Sequence, residues 1–212
     1  MKWLTLTVCG GLLAACAGGF ERNVPEPRVY RLSAPAMEAG ELLPAELLVL
    51  RPMVATGLHT ERIISAWPGN RLNYFAGARW SGELGNVIQG SLMDALRASG
   101  RLRTVEGDPA RFRASHVLGL EVRRFEADYA DAPGPAPVAR VSMNATIGRY
   151  GDRRALQSWT VATEAPAAAN TLGAVTAALD LAFGEAAAEI VERSAQAIAA
   201  DLAGQPQPTG AR

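Results

Sequence analysis

The sequence predicts a single α/β (α+β) domain: a mixed or antiparallel sheet with two main helices packed on it, in the order strands, helix, strands, hairpin, helix. Three observations carry this reading. Leu118, Leu120 and Val122 alternate with polar or small residues, as do Val141, Met143, Ala145 and Ile147, which is the period of half-buried strands. Apolar residues recur at helical spacing from Leu84 to Leu96 and again from Leu172 to Ala197. With 212 residues, 49% hydrophobic and 20% charged, the chain suits one core rather than two.

The first segment stands outside this fold. Met1-Lys2 is a positive start, Trp3 to Leu13 is an apolar run too short to span a bilayer, and Leu13-Ala14-Ala15-Cys16 sets small residues before a cysteine. That is the layout of a bacterial lipoprotein signal. Residues 1–15 are expected to be removed and Cys16 to carry the lipid. Cys9 is the rival site and fails, because Val8 puts a β-branched residue where the signal peptidase needs a small one. Removal of the signal leaves Cys16 as a lone thiol, which cannot close an internal disulfide in a secreted protein. Each buried methylene contributes about 0.8 kcal/mol and one chain binds only reversibly, so stable anchoring takes several acyl chains. In the lipobox pattern that these residues resemble, the cysteine sulfur is diacylated and the new amino terminus is acylated as well. Ala17 stands where an aspartate retains lipoproteins in the inner membrane in well-known sorting systems. The resemblance therefore implies the periplasmic face of the outer membrane, with the inner membrane as the alternative.

Residues 16–28 read as a lipidated tether, polar and proline-bearing, and a dozen residues at roughly 3.3 Å each reach no more than about 40 Å. The domain follows over residues 29–203. Val29 to Leu32 and Glu46 to Leu50 are short apolar segments bounded by prolines, as strands are. Trp67-Pro68-Gly69-Asn70 is a turn signal, and Leu72 to Ala78 reads as the next strand. Ser81 is the expected cap of the first helix, with Leu84, Val87, Ile88, Leu92, Ala95 and Leu96 on its apolar face, and Gly100 as its left-handed stop. The strand from Leu118 loses its alternation at Arg124-Phe125, which predicts a bulge. Ala132 to Pro137 can only be a loop. Val141 to Ile147, a turn at Gly151-Asp152 and Leu156 to Thr163 form the clearest hairpin. The last helix runs from Thr171 to about Leu202, with Glu185, Glu189 and Arg193 on its polar face. An acidic polar face argues against insertion of this helix into a membrane surface. Residues 204–212 read as a disordered tail.

In their order and spacing, several of these pieces resemble the ABC-type transport auxiliary lipoprotein family. They are the lipobox at Cys16, Tyr30-Arg31-Leu32, the strand Leu47-Leu48-Val49-Leu50-Arg51-Pro52, and Gly57-Leu58 with Thr60-Glu61-Arg62-Ile63. Leu72, Tyr74 and Trp80 follow, and the helix closes on Ala95-Leu96-Arg97-Ala98-Ser99-Gly100. Ser81-Gly82-Glu83 departs from the acidic residues and prolines that often follow the tryptophan, a departure that touches only the start of the helix. The resemblance spans nearly the whole mature chain. It implies a non-catalytic subunit of a system built around mammalian-cell-entry (MCE) domain proteins, moving phospholipid or another hydrophobic solute between the two membranes. The implied partners are an MCE-domain protein, ABC permease and ATPase subunits, and further copies of this chain. A lipoprotein that assembles or regulates another envelope machine, such as a cell-wall synthase or a secretion pore, is the alternative.

The residues offer little chemistry of their own. Net charge is zero over the full chain, which argues against a nucleic-acid partner. Lys2 is the only lysine, so no phosphate-binding loop of the glycine-lysine type exists, and any nucleotide is hydrolysed by another subunit. His59 reads as a solvated loop residue. His116 opens a strand beside Ser115, and a serine adjacent to a histidine in sequence is not by itself a nucleophile and base, whose geometry comes from separate elements. No catalytic residue, metal site or cofactor is expected, since no cluster of His, Cys, Asp or Glu has ligand spacing. Trp80 reads as core. Trp67, Arg62 and Tyr74 are the candidate partner contacts, because Trp, Tyr and Arg are enriched at binding hot spots.

Overall fold

A computed structural model describes residues 26–129, 135–151 and 154–204. Cys16, the signal, most of the tether, the tail after Gly204, Asp152 of the predicted turn and residues 132–134 of the proline-rich loop lie outside the described residues.

The described strands are β1 (Arg28–Tyr30), β2 (Leu43–Val49), β3 (Met53–Val54), β4 (Arg62–Trp67), β5 (Arg71–Trp80), β6 (Leu102–Glu106), β7 (His116–Asp128), β8 (Val138–Arg149) and β9 (Ala155–Pro166). Helix α1 (Leu84–Ala98) falls between β5 and β6, and α2 (Leu172–Ala203) ends the domain. All the strands belong to one mixed sheet with β7 as its spine. Along one edge β7 pairs in parallel with β2 at His116–Leu118, with β3 at Glu121–Val122 and with β4 at Ala127–Asp128. Along its other edge it pairs antiparallel with β8, and β8 with β9. The sheet thus forks, since β6 extends it beyond β2, while β5 and β1 extend it beyond β4.

Alternation in β7 and β8 decides which face is core. Leu118, Leu120, Val122, Phe125 and Ala127 lie opposite Ile147, Ala145, Met143, Val141 and Ala139, and all are buried under the helices. The phase shifts between Val122 and Arg124, the bulge that the broken alternation predicted. Phe125 is central, with its ring 5.7 Å from Trp80 in an edge contact and 6.3 Å from Phe183 of α2. Alanines at positions 182, 186 and 187 keep α2 close to the sheet, close enough for Thr163 Oγ1 to donate to the Ala182 carbonyl at 2.7 Å. Thr171 caps this helix, its hydroxyl accepting from Ala174 N, and Glu189 bonds Arg193 one turn on.

Three strands that the sequence reading passed over are present: β3, β4 and β6. The first is two residues long, and β6 reads as polar because Arg103 and Glu106 occupy it. The start of α1 is also corrected. Glu83, not Ser81, is the capping residue, and its side chain makes no capping bond because it pairs with Arg51 instead. Ser81 donates its backbone N–H to Tyr30 O. Gly100 has φ +62°, the left-handed stop expected of it. No helix among the described residues is long and apolar enough to cross a membrane.

Candidate functional site

Two surfaces and one buried cluster gather the residues that could carry function. The first surface is the β4–β5 hairpin. Its turn uses left-handed backbone at Gly69 (φ 80°) and Asn70 (φ 56°), which glycine and asparagine adopt at little cost. Trp67 stacks on Tyr129, which follows the end of β7, with ring centroids 4.4 Å apart and planes 9° from parallel. Trp67 Nε1 donates to Ser65 Oγ at 3.0 Å, and the Tyr129 hydroxyl donates to Asn170 Oδ1 at 2.6 Å. Burial raises the pKa of Tyr129 above its ordinary value. Arg62 lies over the ring of Tyr74 at 4.0 Å, a cation–π contact. Arg62, Tyr74 and Trp67 therefore share one hairpin, although Trp67 faces the helices and Tyr74 the other side.

This hairpin is irregular. Arg62 lies opposite Arg79 and Ile64 opposite Tyr74, so β5 holds a bulge of several residues around Gly77, whose φ of +64° admits glycine. Leu72 and Tyr74 remain 43% and 39% exposed.

The second surface is the sheet face turned away from the helices. Across β7, β8 and β9 it carries polar ladders. Asn144 donates to Glu121 and accepts from Thr160, Thr146 bonds Ser158, and Arg140 pairs with Glu164. Bonds from Arg123 and Asn144 hold the Glu121 carboxyl below its ordinary pKa. Arg124 joins Glu126 and Asp128; burial opposes its charge, but these bonds outweigh burial and raise its pKa. Towards the start of β7 the same face hollows into a largely apolar groove of about 550 Å³, floored by Gly119 and Gly148 and rimmed by Leu50, Val117, Tyr150 and Ala155. Gly148 is required there, because a Cβ would stand 2.7 Å from the Arg154 carbonyl oxygen. At Gly119 a Cβ would make only an ordinary 3.9 Å contact.

The buried cluster contains His116. Its Nδ1 lies 3.0 Å from Ser115 Oγ, and its Nε2 lies 3.3 Å from Asp201 near the end of α2. Ser115, His116 and Asp201 thus form a hydrogen-bonded chain that the sequence did not reveal. Ser115 Oγ also accepts from Glu46 N at 2.9 Å and faces Glu46 O at 3.1 Å, which ties it into the β2–β7 ladder. Arg149 grips Asp201 through both Nε and Nη2, at 2.7–3.0 Å. His116 is only 1% exposed. These bonds clasp the last turn of α2 to the start of β7 and the end of β8. His59 is exposed, 3.4 Å from Glu83. Among the described residues no group of three or more His, Cys, Asp or Glu side chains could hold a metal ion.

Sequence reading named Trp67, Arg62 and Tyr74 by residue type, without bringing them together, and missed Tyr129, Asp201 and Arg149. Their partners are distant in sequence. The groove did leave a signal, one glycine inside each of the paired strands β7 and β8, where glycine often marks a close approach.

The family model of the ABC-type transport auxiliary lipoprotein component matches residues 30–191. The chain belongs to this family. The crystal structure of protein XCC0632 from Xanthomonas campestris is similar over 83% of this chain and 99% of its own, with 25% identity and a TM-score of 0.76. The hypothetical protein CT253 from Chlamydia trachomatis is 9% identical over 74% of this chain and 99% of its own; with a TM-score of 0.51 it shows the fold alone. No curated protein matches the sequence. As a family of auxiliary lipoprotein components of ABC-type transport, it places the chain in the cell envelope as an accessory to a transporter. Trp67, Arg62, Tyr74 and the groove all fall within the matched span of this auxiliary lipoprotein.

Proposed function

We propose that this auxiliary lipoprotein is the non-catalytic docking subunit of an MCE-type ABC transport system that moves phospholipid or another hydrophobic solute between the inner and outer membranes. The observation that carries the reading is the family match over residues 30–191 behind the lipobox Leu13-Ala14-Ala15-Cys16. In this reading Cys16 is acylated and sits in the inner leaflet of the outer membrane. The folded domain receives the end of the transport path by protein contact, and further copies of the chain assemble with it. Tethering raises the local concentration of the domain at that membrane, so a weak contact suffices for docking.

The groove over Gly119 and Gly148 is the surface assigned to the MCE-domain partner. It is concave, largely apolar and rimmed by Leu50 and Tyr150, each 43% exposed. Gly119→Thr tests it, because Gly119 has room for a Cβ and a β-branched residue suits a strand. The variant is expected to keep the thermal midpoint of the parent and to lose co-purification with the MCE-domain protein. Unaltered co-purification would remove the groove from the reading. For the system as a whole, a deletion strain is expected to show altered outer-membrane lipids under envelope stress, and an unchanged lipid profile counts against lipid transport. Cys16→Ser is expected to release the protein into the periplasm, while an unmodified Cys16 in the membrane fraction of the parent would sink the anchor.

A further inference from the structure

We infer that the β4–β5 turn lies against the bilayer, with Trp67, Leu72 and Tyr74 bedded in the headgroup layer of the membrane that holds Cys16. The inference rests on the acylation of Cys16 proposed above and adds a second, non-covalent membrane contact made by the folded domain.

Three observations on the domain converge. The first is direction. β1 runs parallel to β5, with Arg28 opposite Ala78 and Tyr30 opposite Trp80. The amino-terminal end of β1 therefore faces the same way as the beginning of β5, which is the turn at Pro68–Asn70. Cys16 precedes Arg28 by a dozen residues, at most about 40 Å of chain, and the chain enters β1 from the side of this turn, so a domain anchored at Cys16 can bring the turn to the membrane.

The second is composition. From Trp67 to Phe75 the only charged residue is Arg71. Leu72 and Tyr74 are exposed, and the edge of β5 before Ala78 has no partner strand among the described residues. Proteins protect an edge that faces water with charges, prolines or a covering loop, and this stretch of β5 offers one arginine and one asparagine among apolar and aromatic side chains. The β9 edge of the same sheet does follow the rule, exposing Gln157, Ser158, Thr160 and Glu164.

The third is chemistry. Tryptophan and tyrosine prefer the headgroup level of a membrane, where the ring is apolar and the N–H or O–H meets water. Arginine beside them meets lipid phosphate. Arg71 adjoins Leu72 in the hairpin, and Arg62 sits on the Tyr74 ring at 4.0 Å, so cation and ring present one surface. The nearby carboxylates of β7, Glu126 and Asp128, are already bonded to Arg124 or Arg140, and Glu61 beside Arg62 pairs with Arg79.

The test uses the mature, acylated full chain in vesicles of phosphatidylethanolamine and phosphatidylglycerol. Of its tryptophans, Trp80 and Trp159 are 2% and 7% exposed, so lipids brominated near the headgroup report chiefly on Trp67. Brominated lipid is expected to quench the parent, and Trp67→Phe to remove most of that quenching. A parent that is not quenched, or quenching that is undiminished in Trp67→Phe, overturns the inference. An environment-sensitive dye on Asn73→Cys guards against a variant that folds poorly. Its emission is expected to shift to the blue on vesicles, whereas the same dye on Ala155→Cys at the opposite end keeps its emission. Equal responses at the two positions, or none at Asn73, overturn the inference too. Mass spectrometry of the amino-terminal peptide separates the two failures. An unacylated Cys16 sinks the anchor and this contact together, while an acylated protein whose turn stays in water sinks the contact alone.

Discussion

The sheet contains two hairpins, β8–β9 and β4–β5, that differ in what they meet. β8 and β9 pair continuously from Val138–Pro166 to Ile147–Gln157, lie under α2, and present polar ladders to the other side, Asn144 to Thr160 and Thr146 to Ser158. β4 and β5 carry a bulge at Gly77, have an open edge, and expose Leu72 and Tyr74. Away from the groove beside its turn, the first hairpin is finished on both faces: apolar where α2 covers it, hydrogen-bonded where water does. The second is finished only where it joins β7. A hairpin with an apolar exposed surface persists where another surface completes it, and the membrane contact inferred above supplies such a surface.

The difference predicts where the stability of the domain resides, and Trp159→Ala should show it most strongly. Trp159 is 7% exposed, packs among the residues under α2 and lies 4.9 Å from the Arg193 guanidinium. Truncation of a buried aromatic costs about 3–5 kcal/mol. A urea midpoint that moves less than that of Trp67→Ala would reverse the assignment of the two hairpins.

Asp201→Ala comes next. It removes the acceptor that Arg149 grips and that His116 faces, unclasping α2 from the β7–β8 end, and the loss of one partner from a buried pair costs about 3 kcal/mol. Denaturant unfolding gives the number, and hydrogen exchange should place the added opening in the last turns of α2. Opening spread evenly over the domain would mean that the clasp is only one contact among many.

Trp67→Ala acts on the other hairpin and should cost less, about 1–2 kcal/mol, since a stacked aromatic pair contributes about 0.5–1.5 kcal/mol beyond its area. Uncovering Tyr129 should also lower its pKa towards the ordinary phenol value, which the difference in absorbance at 295 nm against Tyr129→Phe would read. The sign for stability follows. A raised phenol pKa in the folded state gives stability that is whole below the unfolded pKa and is lost as pH rises through the folded one. The parent should therefore lose stability above about pH 10, and Trp67→Ala should lose less of it there.

Legibility in the sequence divides along the same line. The β8–β9 hairpin could be read because strict alternation from Val141 to Ile147 fixes register and face together. The same regularity exposed the bulge after Val122, and the helical spacing in α2 gave its length nearly to the residue. β4 could not be read, since Ile63-Ile64-Ser65-Ala66 lacks alternation and both its faces are covered: Ile63 and Ile64 are each nearly fully buried. The candidate contacts Trp67, Arg62 and Tyr74 were found by residue type alone. Their partners were not, because Tyr129 meets Trp67 only through the parallel pairing of β4 with β7, a long-range fact that no local pattern encodes. His116 shows the same limit, since Asp201 lies 85 residues away in sequence.

Arg62→Met is the mildest change and the one that best divides structure from function in the exposed hairpin. The cation–π contact with Tyr74 is solvent-exposed, so its loss should cost about 0.5 kcal/mol, and methionine keeps the apolar cover of the ring. The urea midpoint should hardly move. Vesicle binding should respond more, because the variant removes a cation from the surface assigned to lipid phosphate. Co-sedimentation of the acylated protein would not resolve this, since acyl chains alone retain it. The informative quantity is the bromolipid quenching of Trp67, which should weaken in Arg62→Met and recover in Arg62→Lys if charge is what counts. Weakening in both variants would instead mean that the arginine acts by holding the Tyr74 ring in place, a task for which the flat guanidinium suits and the ammonium does not.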